Sequence, residues 1–223
     1  MDPLVNANPH SSTDWTFYRD SDPRDPWFNM QRDAELFDVA VKYPKAKGAF
    51  RIYRWDRPCV TIGRLQSADI AEPFAGGLPV IRRVTGGRAV KHGSDLTASI
   101  IMSSELCKRL NDHSVKRAYA RLIEVMTRAF VDIGIAATGG TNNEVDPDDP
   151  DCFARSAACD LVALDSGRKI VGTAQRRSSG AVIQQMSFAG RANDDEFAKA
   201  LEHRFAELYM VKKWDVVDTA KGL

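Results

Sequence analysis

Apolar residues recur along this chain in two rhythms. Trp15 and Phe17 alternate with polar neighbours, the two-residue period of a short strand. From Pro26 the period lengthens. Trp27, Met30, Ala34, Phe37 and Val41 recur at three and four residues, which predicts a helix opened by a proline, closed before Pro44, and turning that stripe to a core. Phe28 and Asn29 fall in its first turn. Residues 49–55 alternate apolar and basic positions, a half-buried strand, and Cys59–Ile62 forms another, ended by Gly63 and a polar corner through Gln66. A loop with Gly76 and Gly77 leads to a short apolar run at 78–81, and a second run follows at 96–102: strand, loop, strand. The clearest helix covers 114–133, with Val115, Ala118, Tyr119, Leu122, Met126, Phe130 and Ile133 as its stripe, Asp112 or Ser114 as its cap, and Gly134 as its stop. Residues 160–164 and 169–175 read as strands joined by an Asp-Ser-Gly turn, and 181–188 as a third. A last helix at 194–210 turns Phe197, Leu201, Phe205 and Leu208 inward, and the stretch from Val211 either pairs as an edge strand or trails off. Strands before and after a long helix, mostly hairpin-linked, predict an α+β domain with mixed or antiparallel sheets and packed helices.

Composition narrows this little. Residues 1–13, rich in Asn, Ser and Pro, read as a disordered lead-in, leaving one domain from 14 to 223. With 223 residues and 43% hydrophobic content the chain can bury a proper core. Its formal net charge of +1 gives no global argument for nucleic acid or a membrane, so any anion preference is local. The four cysteines form no CxxC pair and lie far from the histidines, which argues against a zinc site. No apolar run approaches the roughly 20 residues of a bilayer span, the first residues lack the apolar core of a signal peptide, and a reducing cytoplasm with free thiols is expected.

Candidate chemistry gathers in residues 80–99. Gly86 and Gly87 can turn main-chain N–H groups towards a ligand, and Arg82, Arg83 and Arg88 around them suit a carboxylate, phosphate or phosphopantetheine group; the plain alternative is a hairpin with solvated arginines. His92, further along, either donates to a substrate oxygen, orients the loop, or is a satisfied structural histidine. Residues 139–151 are acidic and proline-bearing, a surface loop whose spacing is no EF-hand. Cys152 closes that loop. It is either a nucleophile or incidental, and because its neighbours are acidic, an activating cation has to come from elsewhere in the fold. Lys169 opens a strand and points either into a pocket or into water. Cys59, Cys107 and Cys159 read as small core residues; His10, His113 and His203 suggest no role.

Taken together, these blocks resemble the lipoate–protein ligase and octanoyltransferase superfamily, which also contains the biotin–protein ligases. Residues 82–92, Arg-Arg-Val-Thr-Gly-Gly-Arg-Ala-Val-Lys-His, look like its Arg-Arg-x-Ser/Thr-Gly-Gly-x-x-Val-x-His signature, and residues 167–175, Gly-Arg-Lys-Ile-Val-Gly-Thr-Ala-Gln, look like its lysine-bearing block. Phe28-Asn29-Met30, residues 51–55 and residues 62–66 match further landmarks in the expected order. Within the superfamily the likeness is nearest to the cysteine-dependent octanoyltransferases and amidotransferases of Gram-positive type, because Arg88 follows Gly87 where ligases carry a third glycine and Cys152-Phe153 precedes the lysine strand. The resemblance implies the biotin/lipoate ligase fold, Cys152 as the residue that takes an acyl thioester, and Lys169 as the cation that activates it. It also implies substrate contacts from Arg82, Arg83, Thr85, Gly86, Gly87, Arg88, His92, Gly172, Thr173 and Ala174.

The implied reaction moves an octanoyl or lipoyl group from an acyl carrier protein, or a lipoylated protein, to a lysine of a lipoyl domain or of the glycine-cleavage H protein, with no metal and no cofactor. A ligase would instead use ATP and Mg²⁺ and ignore Cys152, and a non-catalytic binder of lipoyl domains or carriers is a third reading. One departure stands out: Gln185-Met186 replaces the family's His-Gly, and the lost His and larger Met are expected either to reshape the acyl tunnel or to remove a contact to the carrier. A basic face around Arg51, Arg54, Arg82 and Arg88 is the expected dock for an acidic carrier.

Overall fold

The computed structural model describes residues 14–20, 22–112, 114–140, 149–154 and 156–218. The lead-in at 1–13 and most of the acidic loop, 141–148, lie outside them. In chain order the elements are β1 (Trp15–Arg19), α1 (Pro26–Lys42), β2 (Gly48–Tyr53), β3 (Cys59–Ile62), α2 (Ala68–Ala75), β4 (Val80–Arg82), β5 (Val90–His92), β6 (Leu96–Met102), α3 (Ser104–Arg109), α4 (Val115–Asp132), β7 (Ala137–Gly139), β8 (Leu161–Ala163), β9 (Lys169–Ser178), β10 (Ala181–Phe188), α5 (Asp195–Leu208) and β11 (Asp215–Asp218). Eight strands make one sheet in the order β11-β1-β2-β6-β10-β9-β8-β7, and β4-β3-β5 make a second. The pairs β11–β1, β1–β2 and β3–β4 are parallel and the others antiparallel, so the fold is α+β with mixed sheets, as expected.

The large sheet separates two interiors. Register puts Phe17, Phe50, Ile100 and Val182 on the face covered by α4 and α5, where Leu122, Met126, Phe130, Phe197, Leu201 and Phe205 meet them. Tyr18, Ala49, Ile101 and Ile183 point the other way, onto Leu36, Phe37 and Ala40 of α1. Pro26 sits at the start of α1, where its missing N–H costs nothing, and the Asp25 carboxylate accepts from the N–H groups of Trp27 and Phe28. The buried face of α1 is not the expected stripe. Trp27 is 50% exposed, and Asn29, Arg32 and Asp33 are buried in company with Met30, Leu36, Phe37 and Ala40. The reason lies in β2. Arg51, expected on a half-solvated strand, is wholly buried, and α1 turns polar groups inward to meet it.

Two short helices carry no clear apolar rhythm and were not expected. One is α3. The other is α2, which holds Pro73 within it, ends on left-handed Gly76, and packs Ala71 and Ala75 against β3. With α2 in place, the small sheet becomes a platform that presents the glycine loop between β4 and β5.

Candidate active site

The two arginines at the edge of the glycine loop both bond main-chain carbonyls, Arg82 from an exposed position and Arg83 from a buried one. Arg82 Nη1 donates to the carbonyls of Gly63 (2.9 Å), Arg64 (3.1 Å) and Gln66 (2.8 Å). Arg83 is buried; its Nη1 reaches the carbonyl and hydroxyl of Thr61 at 3.0 and 3.2 Å, and its Nη2 the carbonyls of Gly86 and Arg88, both at 2.7 Å. Arg83 thus clamps the glycine loop, and Arg82 ties β4 to the corner after β3. Burial pulls the Arg83 guanidinium down to about 10, and negative charge at Cys152 partly offsets this. Arg88 donates to the carbonyl of Asp149 at 2.6 Å. Two glycines are required by geometry. Gly87 has φ +88°, and a Cβ on Gly63 would lie 2.0 Å from the Gly87 carbonyl oxygen, so these two backbones touch directly.

Cys152 is brought to this loop by main-chain bonds. The Ala89 N–H donates to Pro150 O and the Cys152 N–H to Ala89 O, each at 2.8 Å. Lys169, the first residue of β9, then reaches the same cysteine. Its Nζ lies 2.7 Å from Cys152 O, 3.4 Å from Cys152 Sγ and 2.9 Å from Asp160 Oδ2. The Lys169 and Asp160 side chains are only 4% and 5% exposed, so this is a buried ion pair held against a sulfur. Asp160 is fixed in turn by the N–H groups of Ala157 (2.8 Å) and Thr173 (3.1 Å). A lone Asp at the start of a strand gave no signal in the sequence; only the fold puts it beside the lysine. Gly172 forms the floor, since a Cβ there would sit 3.4 Å from both Cys152 Sγ and Lys169 Cε. Thr173 turns its hydroxyl to the Cys159 carbonyl at 2.9 Å, while Ala174 lines the adjacent pocket. The other thiols are chemically quiet: burial pushes Cys59 up to about 12 and Cys107 up to about 11, and burial with the Asp160 charge raises Cys159.

Cys152 opens onto a narrow, largely apolar pocket of about 410 Å³, mouth included, walled by Met30, Tyr53, Trp55, Val90 and Ala174. His92 stacks on Trp55 with centroids 4.0 Å apart, and both its ring nitrogens are engaged: Nδ1 with Asp95 Oδ2 and Nε2 with Thr61 Oγ1, each at 2.8 Å. It therefore orients the loop and the pocket wall. Asp95 also accepts from Ser187 Oγ (2.7 Å) and Thr97 Oγ1 (3.1 Å); burial alone would raise its carboxyl, but the His92 charge and these bonds hold it low. Thr85 is buried and donates to Gln185 Oε1 at 2.6 Å, and Gln185 Nε2 donates to Asp33 Oδ2 at 2.7 Å. Asp33 further accepts from Arg51 (3.1 Å), Tyr53 (2.9 Å) and Ser99 (2.8 Å). Gln185, one half of the departure from the family pattern, is thus the link between the glycine loop and α1. The other half touches both the narrow pocket and the core. Met186 pairs with Ala98 and Thr173 on the opposite face of the sheet from Gln185 and joins the α4–α5 core.

Two of the four arginines of the expected basic dock are already paired with carboxylates. Arg51 is enclosed by Asp20, Asp33 and Asn29, and the two carboxylates outweigh burial to raise its pKa. Arg54 is tied at 2.5 Å to both Ala192 O and Asp195 Oδ1. Alternation along β2 made both look like solvent-facing bases. Among the described residues no cluster of three His, Cys, Asp or Glu is placed to hold a metal ion, and no helix is long and apolar enough to cross a membrane.

Comparison with known proteins adds to this geometry. The sequence pattern of the lipoyl protein ligase A/B catalytic domain matches residues 25–214. The octanoyltransferase LipM of Oceanobacillus iheyensis is 32% identical over 177 residues, which cover 78% of this chain and 63% of that protein. The protein of the same name from an Exiguobacterium species is 32% identical over 196 residues, 83% of this chain and 69% of its own. The chain thus spans just under two thirds of the first relative's length. Among solved structures, lipoate-protein ligase A bound with ATP superposes with a TM-score of 0.64 at 20% identity, over 91% of this chain and 89% of its own. The bipartite lipoate protein ligase of Thermoplasma acidophilum gives 0.62 at 18%, over 91% and 87%. At such identities these two speak for the fold.

Proposed function

Because this chain belongs to the lipoyl protein ligase A/B catalytic domain family, we propose that it is an acyltransferase carrying an octanoyl group through a thioester on Cys152. The donor is an octanoyl thioester of an acyl carrier protein, and the acceptor a lysine of a lipoyl domain or glycine-cleavage H protein. The observation that carries the reading is Lys169 Nζ, 3.4 Å from Cys152 Sγ at the mouth of an apolar pocket. A thiolate is the nucleophilic form of cysteine and needs a nearby cation, which the Asp160-held lysine supplies.

In the first step Cys152 sulfur attacks the donor carbonyl carbon. A new S–C bond forms, the donor C–S bond breaks, and the departing carrier thiolate takes a proton from Lys169. In the second, the neutral ε-amine of the acceptor attacks the acyl-cysteine carbonyl. An amide forms, sulfur leaves as thiolate, and the surplus amine proton returns to Lys169. Main-chain N–H groups of Gly86 and Gly87 are the candidates to meet the oxyanion, a contribution whose loss typically costs about 10²–10³-fold. The pocket supplies the chain selectivity: at roughly 0.8 kcal/mol for each methylene removed from water, the tail of an octanoyl group gains about 5 kcal/mol.

Two further observations separate this reading from its rivals. A ligase would rest ATP phosphates on the glycine loop, yet Arg83 is buried with both Nη atoms bonded within the protein, and Arg82 Nη1 is held by three carbonyls. The binder reading leaned on the unusual Gln185, which has a structural task here. The reaction so written requires neither ATP nor Mg²⁺. Its test is the intact mass of the protein after incubation with octanoyl-acyl carrier protein without ATP. A hydroxylamine-labile octanoyl adduct, absent in Cys152→Ala, is expected; acylation of a lipoyl domain only when ATP and free acid are supplied would overturn it in favour of a ligase.

A further inference from the structure

A second, wider chamber of about 1040 Å³, open to solvent, lies on the other side of the Cys152–Lys169 pair. Asp151 and Phe153, which flank Cys152, line it, as does Lys169, while Ser187 is shared with the narrow pocket. The two spaces therefore adjoin around Cys152, which lines the narrow one while its neighbours line the wide one, and they differ in character. One is tight and apolar; the other is broad and polar.

A donor thioester at Cys152 has to place its two halves in different spaces, and the wide chamber is the one lined by both neighbours of Cys152 and by Lys169. The acyl chain fits the apolar side, so the group that leaves with the donor sulfur has to lie in the wide chamber. The walls fit a particular chemistry. Lys91 follows Val90 and precedes His92, both buried, so alternation along β5 turns its side chain outward, where the ammonium sits 4.4 Å over the Phe74 ring. Arg168 is exposed, lines the same chamber, and among the described residues makes no side-chain bond. Of the carboxylates on this wall, Asp95 is held in hydrogen bonds with His92, Ser187 and Thr97, and Asp151 accepts from the Phe153 N–H. Lys91 and Arg168 thus stand in the chamber without a carboxylate bonded to them among the described residues, alongside Phe74 and Phe153.

We propose that this chamber binds the phosphopantetheine arm of the acyl donor, with Lys91 and Arg168 holding its phosphate and the two phenylalanine rings packing against its amide-bearing stem. The proposal rests on the acyltransferase reading and moves the phosphate from the signature arginines, which hold their own loop, to two residues outside that pair. Carrier-borne and coenzyme A-borne thioesters share this arm, so either can present it.

The test separates the site from the chemistry. Octanoyl-phosphopantetheine and octanoyl-pantetheine, which lacks the phosphate, are titrated calorimetrically into Cys152→Ala protein, alone and with Lys91→Ala or Arg168→Ala added. The expected result is tighter binding of the phosphorylated ligand and a loss of about tenfold for it in each variant, the scale of one charge-assisted contact. Binding of the unphosphorylated ligand should change less than about twofold. Equal affinity for both ligands, or equal losses for both in the variants, overturns the proposal. The acyltransferase reading fails separately, if wild-type protein takes no octanoyl adduct from any of these donors. Adduct formation from octanoyl-coenzyme A and from octanoyl-carrier, compared in wild type and Arg168→Ala, distinguishes the two sources: both should slow alike if the arm alone is read.

Discussion

Replacing Gly63 by alanine is the sharpest probe of the glycine loop. An alanine Cβ built there lies 2.0 Å from the Gly87 carbonyl oxygen, whereas real contacts essentially never fall under 3.0 Å. The loop backbone must therefore retreat by about 1 Å. It cannot do so freely, because Arg83 holds Gly86 O and Arg88 O at 2.7 Å and Ala89 holds the Cys152 segment at 2.8 Å. A misplacement of about 1 Å in a reacting constellation costs on the order of 100-fold in rate. Gly63→Ala should thus slow acylation of Cys152 by about that factor, read as the rate of octanoyl-enzyme formation by quenched-flow mass analysis. Gly86→Ala is the matched control: a Cβ there meets nothing within 4 Å and no left-handed φ is required. It should stay within about threefold of wild type. Equal damage from the two substitutions, or a normal rate in Gly63→Ala with its fold intact, would refute the claim that the loop's position sets the chemistry.

Asp160→Asn leaves a buried lysine without its carboxylate, a change that costs about 3–5 kcal/mol when one partner of such a pair is removed; a melting-temperature drop of roughly 6–15 °C and a more than tenfold slower acylation should accompany it, and an unchanged Tm would refute the buried pair. Gln185→Leu breaks the link from Thr85 to Asp33 and should lower stability in urea by about 1–3 kcal/mol, while a change below about 0.5 kcal/mol would contradict the network. Brief iodoacetamide treatment at pH 8 should label Cys152 first, as judged by peptide mapping, because Cys59, Cys107 and Cys159 are all raised; equal labelling of Cys59 would refute this. The same two buried thiols make an alkaline prediction. Unfolded cysteine ionises near 9.0 but Cys59 and Cys107 hold their protons to about 12 and about 11, so their contribution is complete below pH 9 and is lost as the pH climbs towards those values. Unfolding free energy should fall by about 2–3 kcal/mol between pH 8 and pH 10, and a flat profile would refute the assignment.

What could be read from the sequence was what repeats. The long α4, the β8–β9 hairpin, β10 and α5 all announce themselves through apolar periodicity and turn residues, and they lie where expected. Periodicity misled wherever polar groups do the packing. Arg51 alternates with apolar neighbours and so resembles a solvent-facing base, yet Asp20 and Asp33 bury it; the same network rotates α1 and leaves Trp27 outside. Pro73 disguised α2 as a loop. Cys152, Lys169 and the glycine loop were legible because each sits in a local signature. Asp160 was not, since a carboxylate 9 residues from its lysine gains meaning only once β8 and β9 pair. The arginines Arg82 and Arg83 were seen at the right place, but whether a guanidinium faces a ligand or its own backbone depends on where the carbonyls of β3 and the loop lie.

The position of β1 has a consequence for how the chain acquires its shape. This strand is sandwiched between β2 and β11, with Thr16 opposite both Ala49 and Asp215. One neighbour is made within the next few dozen residues; the other, paired at Asp215, comes far later in the chain. During synthesis the outer edge of β1 therefore stays bare until nearly the whole domain exists, exposing backbone groups that another chain can pair with. Contacts between such distant positions place this protein among the slower folders. Closure by β11 is then a late step in forming this sheet, and the nascent domain has its greatest need of a chaperone just before that strand docks.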